Sequence, residues 1–591
     1  MPIASLRPLA VLLLGGSLTL PALAETPVAP PPKPEPAAAA EVDGDPGAYL
    51  AARTAARDND YSAGAAWFAR ALMADPDNLD LVQGAVVSNI GTGNFVAAAA
   101  AADRLVQMGE KDQIAYIALI ADRAHKGDFP AVLGLLKGGQ KVGALLDGLV
   151  NAWSELGAGR MSEALAGFDT LTSTPAIKAF GLYHKALALA SAGDFEGAEN
   201  IFSGKAAGPI AVTRRGIIAH AQVLSQLERD PEALEILDKA FGDDPEPALD
   251  ALRARLKAGE TVPFDIVRTP ADGIAEVFYT LATALNGEAD DGYTVLYARA
   301  ATFLRPDHTE AVLLAAGLLD AQKQYDLATA LYASVPADDP AFYIAEIGRA
   351  QGAYAMDRKE AALEILDALA RKQPQNVTVQ VALGDALRRE EKWERALKAY
   401  DAALALPVAN EERFWSVWYS RGIAEERLGN FPKAVSDMRK ALELSPDEPQ
   451  VLNYLGYSYV DRGENLDEAL AMIQRAVSRK PDSGYIIDSL AWALYRLGRY
   501  DEALPHMEQA SLLEPVDPVV TDHLGDVYWA VGRQMEARFQ WRRALSFAPE
   551  EKDAARIRRK LEVGLDAVLA EEGAKPLVPV KSVEAKPADA D

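Results

Sequence analysis

The sequence predicts an all-α solenoid of helix–turn–helix repeats, because three kinds of landmark residue recur at a nearly constant period. Glycines, small residues and prolines each return every 34 or 35 residues between positions 429 and 549. A period of this length is typical of a two-helix unit that cannot bury its apolar face alone and therefore stacks on its neighbours. The landmarks are Gly429, Gly463, Gly498 and Gly532; Ala434, Ala469, Ala503 and Ala537; and Pro446, Pro481, Pro515 and Pro549.

Each landmark has a local role in this unit. A glycine such as Gly463 follows the first helix, where a residue that accepts a positive φ ends a helix. Ala503 and Ala510 lie seven residues apart on one face of the second helix, and their small side chains allow close helix packing. Pro515 ends the second helix, because proline has no backbone N–H and collides with the preceding turn.

These units resemble the tetratricopeptide repeat, in which a Leu-Gly pair is followed three residues later by an aromatic residue and the unit closes with proline. Leu455-Gly456 with Tyr459 carries this pattern, and the same order returns at 524–528. The resemblance implies a right-handed superhelix. It also implies that the first helices line a concave surface, which binds other proteins or peptides.

The chain divides into segments at changes of composition and period. Arg7, an apolar run and Ala22-Leu23-Ala24 are typical of a secretory signal peptide over 1–24; an uncleaved anchor is the alternative. We predict about thirteen or fourteen repeats in two halves, separated by a stretch whose prolines and glycines cannot continue the stack. The other predicted segments are a Pro/Ala-rich linker (25–45), degenerate repeats (46–257), a non-repeat connector (258–273), the C-terminal repeat array (274–550), a capping helix (551–570) and a disordered tail (571–591).

Composition and motifs disfavour most chemistry. The formal net charge of −26 provides no broad basic footprint for nucleic acid. There is no cysteine to form a disulfide, ligate a metal, act as a nucleophile or carry a lipid. No phosphate loop, nucleophile elbow or pair of histidines at metal-ligand spacing is present. We therefore expect no catalytic, cofactor-binding or metal-ligating residue, no nucleic-acid partner and no integral membrane segment after signal cleavage; an enzyme is the remote alternative.

The sequence also predicts which side chains line the partner-binding surface. Residues one position past the packing face of the first helices form an aromatic and acidic stripe, which suits a protein or peptide ligand. The alternative is that these aromatic rings only fill gaps between repeats. The acidic side chains disfavour a clamp for a chain-terminal carboxylate and favour a basic or neutral ligand. The predicted groove residues are Asn453, Tyr457, Asp488, Trp492, Tyr495, Asp522, Asp526 and Trp529.

A basic cluster follows this stripe near the C-terminus. It could dock an acidic protein, lipid headgroups or the cell-wall polymer. We favour the alternative that it is an exposed cap that offsets acidic neighbours and the helix dipole. The cluster comprises Arg533, Arg538, Arg542, Arg543, Lys552, Arg556, Arg558, Arg559 and Lys560.

The segments 453–470, 488–498 and 522–525 look like those of large bacterial envelope proteins with tetratricopeptide repeats. Some of these proteins are outer-membrane lipoproteins that recruit a carboxyl-terminal processing protease and its cell-wall hydrolase substrates. This chain departs from them because it has no lipobox cysteine. The resemblance implies a periplasmic, non-catalytic adaptor. A scaffold for polysaccharide or protein secretion and assembly is the alternative.

Overall fold

The structure is a computed structural model that describes residues 45–137, 141–206, 208, 213–242, 246–407 and 411–578. Over these ranges it contains 31 α-helices, one 3₁₀ helix and no β-strand, which confirms the predicted all-α solenoid. The predicted signal peptide, the linker as far as residue 44 and residues 579–591 of the predicted tail lie outside the described residues. None of the described helices combines the length and apolar character needed to cross a membrane.

The N-terminal half contains six helix pairs followed by a single helix. They are α1 (Pro46–Arg57) and α2 (Tyr61–Ala74), α3 (Leu79–Thr92) and α4 (Phe95–Gln107), α5 (Gln113–His125) and α6 (Phe129–Leu136), α7 (Ala144–Gly157) and α8 (Met161–Thr172), α9 (Lys178–Ser191) and α10 (Phe195–Phe202), α11 (Arg214–Gln226) and α12 (Asp230–Phe241), and then α13 (Pro247–Lys257). Side chains such as Asp60, Asn94 and Asp128 accept hydrogen bonds from the N–H groups three residues later, which fixes where the second helices begin.

The connector after α13 is held along α11. The backbone of Val262 donates to Ser225 Oγ over 3.0 Å and accepts from Gln226 Nε2 over 2.6 Å. Gln222 and Asp265 exchange two hydrogen bonds of 2.7 and 3.1 Å. The following helix, α14 (Pro270–Leu285), includes the last four residues of the predicted connector, because Thr269 caps it and proline fits the first helical position.

The helix pair α14 and α15 (Asp291–Leu304) packs on the inner face of the N-terminal half, which is the face formed by the first helices α3, α5, α7 and α9. Gly273 of α14 lies directly on Trp153 of α7, since a Cβ added there would be 2.2 Å from the indole. On α15, Phe303 stacks on Phe95 with ring centroids 4.5 Å apart. The N-terminal half therefore holds a helix pair of its own chain where a solenoid would otherwise be open.

A buried polar cluster fixes α14 in this position. Glu276 of α14 accepts hydrogen bonds of 2.8 Å from Tyr183 Oη and 2.8 Å from Arg215 Nε. His308 Nε2 lies 3.4 Å from the same carboxylate, and Arg215 also donates to Glu310 over 3.0 Å. Burial alone would raise the pKa of Glu276, but Arg215 and His308 lower it to about 2. The carboxylate is therefore ionised at neutral pH.

The C-terminal half continues as seven helix pairs. They are α16 (Thr309–Ala321) and α17 (Tyr325–Tyr332), α18 (Phe342–Ala355) and α19 (Lys359–Lys372), α20 (Val377–Arg389) and α21 (Trp393–Leu404), α22 (Trp415–Arg427) and α23 (Phe431–Leu444), α24 (Pro449–Arg462) and α25 (Leu466–Arg479), α26 (Gly484–Arg496) and α27 (Tyr500–Leu513), and α28 (Pro518–Ala530) and α29 (Gln534–Ser546). A 3₁₀ turn, Glu411–Phe414, precedes α22.

The landmark residues act as predicted. Gly429, Gly463, Gly498 and Gly532 all have φ between 68° and 85° in the turns after the first helices. In the Leu-Gly pair, a Cβ on Gly525 would lie 2.4 Å from the Trp541 indole, so only glycine permits this approach. The helices α23, α25, α27 and α29 each end two or three residues before a landmark proline.

The C-terminal cap differs from the predicted single helix. It consists of α30 (Glu551–Val563) and α31 (Leu565–Glu571), which are separated by Gly564 at φ 85°. Glycine accepts this φ readily, and the chain turns there. Leu577, within the segment predicted to be disordered, packs against the core of the last repeats.

We expect the substitution Ala503→Leu to lower the free energy of unfolding by about 1–3 kcal/mol, because overpacking displaces neighbouring helices. Ala503 is fully buried in α27, among the second-helix alanines of the array. Thermal unfolding of the full chain measures the loss as a lower melting temperature than that of the wild type.

The matched control for Ala503→Leu is Ala471→Leu, which makes the same change on the exposed surface of α25. The larger side chain extends into solvent there and displaces no neighbour, so the melting temperature should match that of the wild type. An equal loss of stability in the two alanine variants would contradict the packing described for Ala503.

Candidate partner-binding groove

An open groove of about 440 Å³ lies on the inner face of the middle repeats, over α18, α20 and the start of α22. Its floor is apolar and includes Ile347 of α18, Val381 and Ala382 of α20, and Val417 of α22. The side chains of Ile347 and Val381 are only half-buried. A cleft of this volume with an apolar floor and a few polar groups is typical of a ligand-binding site.

One wall of the open groove is aromatic and charged. Tyr354 donates a hydrogen bond of 2.5 Å to Glu390, and the Arg389 guanidinium lies 4.6 Å from the centre of the Tyr354 ring. Lys359 Nζ lies 3.4 Å from Glu390. The hydrogen bond from Tyr354 lowers the pKa of Glu390, so this carboxylate stays ionised and paired.

Local sequence explains why α20 presents these side chains to the open groove. Val381 lies three residues before Gly384 and Asp385 one residue after it, so both lie on the side of the helix next to the close packing of the repeat. A Cβ on Gly384 would be 2.5 Å from the Tyr400 ring, so the glycine brings α20 and α21 together. Tyr400 Oη then donates to Asp385 over 2.7 Å, which holds that carboxylate at the side of the open groove.

The inner face is covered on both sides of the open groove. The pair α14 and α15 covers it in the N-terminal half. At the other end, Lys560 of α30 reaches α28 and contacts Asp522 and Asp526 at 2.6 Å each. An accessible part of the inner face therefore lies in the middle of the chain.

Known proteins are similar to the part of the chain that contains the open groove. Two family models described as tetratricopeptide repeat match residues 347–411 and 399–550. A TPR repeat-containing protein of Pseudomonas aeruginosa is 30% identical over 211 residues, which are 35% of this chain and 34% of that protein. The chain thus spans about a third of the length of this relative.

Residues 347–550 are tetratricopeptide repeats. The tetratricopeptide repeat protein 37 of Xenopus laevis is 33% identical over 115 residues, which are 18% of this chain and 7% of that protein. The crystal structure of the APC/C hetero-tetramer Cut9-Hcn1 is similar over 88% of this chain and 96% of that chain, with 14% identity and a TM-score of 0.38. The open groove lies in the first of these tetratricopeptide repeats.

The sequence-predicted groove residues all lie on the first helices of the last tetratricopeptide repeats. Asn453 and Tyr457 are on α24; Asp488, Trp492 and Tyr495 are on α26; Asp522, Asp526 and Trp529 are on α28. Asn453, Tyr457, Trp492 and Asp522 are half-buried, and the other four are buried.

The six predicted groove residues on α26 and α28 belong to one packed cluster beneath the cap. Trp492 stacks on His523 with ring centroids 3.9 Å apart and on Tyr495 at 4.7 Å. His523 Nδ1 lies 3.0 Å from Asp488 Oδ1. Trp529 Nε1 donates to Asp566 of α31 over 2.9 Å. Partner binding by these residues stays a prediction, and it requires a partner that reaches them beside the cap.

Electrostatics explain how so many carboxylates fit in this cluster. Burial, followed by the neighbouring Asp526 carboxylate, raises the pKa of Asp522 to about 6. Burial alone would lower the pKa of His523, but Asp488 raises it above the ordinary value, which favours a charged imidazolium. Lys560, His523 and Arg556, which lies 3.4 Å from Asp526, thus supply the positive charges. Trp541 Nε1 adds a hydrogen bond of 2.9 Å to Asp526.

The predicted basic cluster is largely paired within the chain. Arg556 lies 2.8 Å from Glu572 and 3.4 Å from Asp526, and Arg559 lies 2.6 Å from Glu571. Lys560 is fully buried, so it is not part of an exposed cap. Asp522 and Asp526 have the same four-residue spacing as Arg556 and Lys560. This spacing places each pair on one helix face, but it does not show that the two faces meet.

Sequence reasoning missed the open groove itself. Val381 and Asp385 stand in the same positions relative to Gly384 as Asn453 and Tyr457 do relative to Gly456. Extending the predicted stripe to α20 by this offset would have found them. The extra residues at 407–412 break the period there, so the regular spacing of the last repeats does not extend to α20.

Proposed function

We propose that this protein is a non-catalytic scaffold of the bacterial cell envelope, which binds a partner protein through the open groove. The observation that carries the proposal is that this groove is an accessible part of an inner face that the chain itself covers toward both ends. Tetratricopeptide repeats act as protein-binding scaffolds, and an apolar floor beside an aromatic and charged wall suits an extended segment of a partner.

A role in the envelope is supported by the sequence of residues 1–24, which has the basic start, apolar run and small-residue cleavage site of a secretory signal. The likeness of 453–470 and 522–525 to envelope adaptors favours a periplasmic protease or a cell-wall hydrolase as the partner. Fractionation of cells that express the full chain should recover it with the periplasm. Recovery with the cytoplasm would contradict the envelope role and leave the open groove to be tested separately.

The test of the open groove is the substitution Val381→Arg, which places a long charged side chain on the apolar floor. Cross-linking in the native envelope, followed by purification, should recover a protease or hydrolase with the wild-type protein and at least about tenfold less with the variant. Gln351→Trp, at an exposed position that also lines the groove, should have the same effect.

The matched control is Ile344→Arg. Ile344 also lies on α18 but outside the open groove, and its side chain is exposed. This variant should recover the partner as the wild type does, and thermal unfolding should show that all three variants are folded. Equal recovery with Val381→Arg and Ile344→Arg would mean that the open groove is not the binding site.

A further inference from the structure

Arg389 stands apart from most arginines of this acidic chain. It lies on α20 at the wall of the open groove and is exposed. Among the described residues, no carboxylate lies within ion-pair distance of its guanidinium, which lies 4.6 Å from the centre of the Tyr354 ring. By contrast, the nearby Arg395 and Arg421 are paired with Asp367 and Asp437 at 2.6 and 2.7 Å.

The carboxylates of the open groove are already engaged. Asp385 accepts the hydroxyl of Tyr400 at 2.7 Å and has Arg388 at 3.8 Å. Glu390 is held by Tyr354 and Lys359, as described above. These contacts leave Arg389 as a donor that lines the groove without an ion-pair partner among the described residues. Contact with the Tyr354 ring also restricts the guanidinium, so less freedom is lost when it binds a ligand.

An apolar surface adjoins this donor. Val381 lies eight residues before Arg389, and Ile347 lies seven residues before Tyr354 on the facing helix, so the wall and the floor run along the same two helices. A ligand that meets both must combine an anionic group with apolar side chains.

We infer that the open groove binds an acidic, partly apolar segment of the partner protein, with an Asp or Glu side chain paired to Arg389 and an apolar side chain against Val381 and Ile347. This inference rests on the proposed function and specifies the partner's chemistry. A guanidinium pairs with a carboxylate through two parallel hydrogen bonds, whereas it would repel a basic segment. The groove thus selects the charge opposite to the one expected from the acidic stripe on α26 and α28.

The experiment uses three short end-capped peptides that share the same leucine and serine positions and carry Glu, Gln or Lys at the remaining positions. Calorimetric titration of the full chain should show binding of the Glu peptide at least about tenfold tighter than of the Lys peptide. The substitution Arg389→Glu should weaken binding of the Glu peptide by about tenfold or more and should strengthen binding of the Lys peptide. Arg371→Glu, the same charge change at an exposed position on α19, should leave all three affinities unchanged.

Cross-linking of the native partner tests the open groove and its preference for acidic ligands separately. If the partner is lost with Val381→Arg and with Arg389→Glu but retained with Arg371→Glu, both the groove and its charge preference hold. Loss with Val381→Arg alone, or equal affinity for the three peptides, would overturn the acidic segment and leave the groove in place. Retention of the partner with Val381→Arg would overturn the proposed function itself.

Discussion

Replacing Lys560 with methionine is expected to lower the free energy of unfolding of the last repeats by about 3–5 kcal/mol. The Lys560 ammonium is fully buried and lies 2.6 Å from both Asp522 and Asp526. Methionine fills a similar volume but leaves the largely buried Asp522 without its cation and leaves Asp526 with only Arg556, 3.4 Å away. Urea-induced unfolding followed by tryptophan fluorescence measures the loss, since Trp529 and Trp541 lie beside this cluster.

Two controls separate lost charge pairing from lost packing. Lys552→Met changes the same residue type at an exposed position of α30, and the free energy of unfolding should change by less than about 0.5 kcal/mol. The triple variant Lys560→Met, Asp522→Asn, Asp526→Asn removes the unpaired charges and should regain part of the lost stability. A loss below about 1 kcal/mol for Lys560→Met alone would show that the cap does not depend on this ion pair.

The substitution Glu276→Gln is expected to lower the free energy of unfolding of the N-terminal half by about 3 kcal/mol. The carboxylate is 1% exposed and pairs with Arg215, which is itself buried. The loss of stability should lie at the low end of the range for a broken buried ion pair, because Glu310 remains 3.0 Å from Arg215. Thermal unfolding of the full chain checks the result, with Glu288→Gln in the exposed turn after α14 as the matched control.

The difference in the free energy of unfolding between the wild type and Glu276→Gln should depend on pH, which provides an independent check. The pKa of Glu276 falls from 4.5 to about 2 on folding, so the stability that it contributes is present above pH 4.5 and is lost as the pH falls toward 2. The difference between wild type and Glu276→Gln should therefore be constant near neutral pH and shrink in acid. A difference that does not change between pH 6 and pH 3 would contradict the role of the charged carboxylate.

Much of the fold follows from local sequence. Gly463, Ala503 and Pro515 act within one repeat, so their spacing determines the helix boundaries and the stacking without knowledge of distant contacts. The position of α14 is different. Its apolar pattern is that of any first helix, and the contact of Gly273 with Trp153 joins residues 120 apart in sequence. Periodicity reports which residues share a face but not which distant face they meet.

The same limit applies to the candidate site. The sequence placed Asp522, Asp526 and Trp529 on one face of α28, and the structure shows that they share it. It did not show that Lys560 lies against that face, because a lysine in a basic cluster is normally solvated. The open groove depends on what the chain leaves uncovered, and that is known only once α14, α15 and the cap have been placed.

The helix pair α14 and α15 also changes how the N-terminal half responds to deletion and to force. In an open array each repeat contacts only its neighbours, so repeats can be removed or unfolded one at a time from an end. Here one inserted pair contacts several repeats at once, from α3 to α9. A repeat therefore cannot separate from its neighbours without also losing its contacts with α14 or α15. We expect this half to unfold as a single cooperative unit, whereas the repeats around the open groove keep the elastic character of a solenoid.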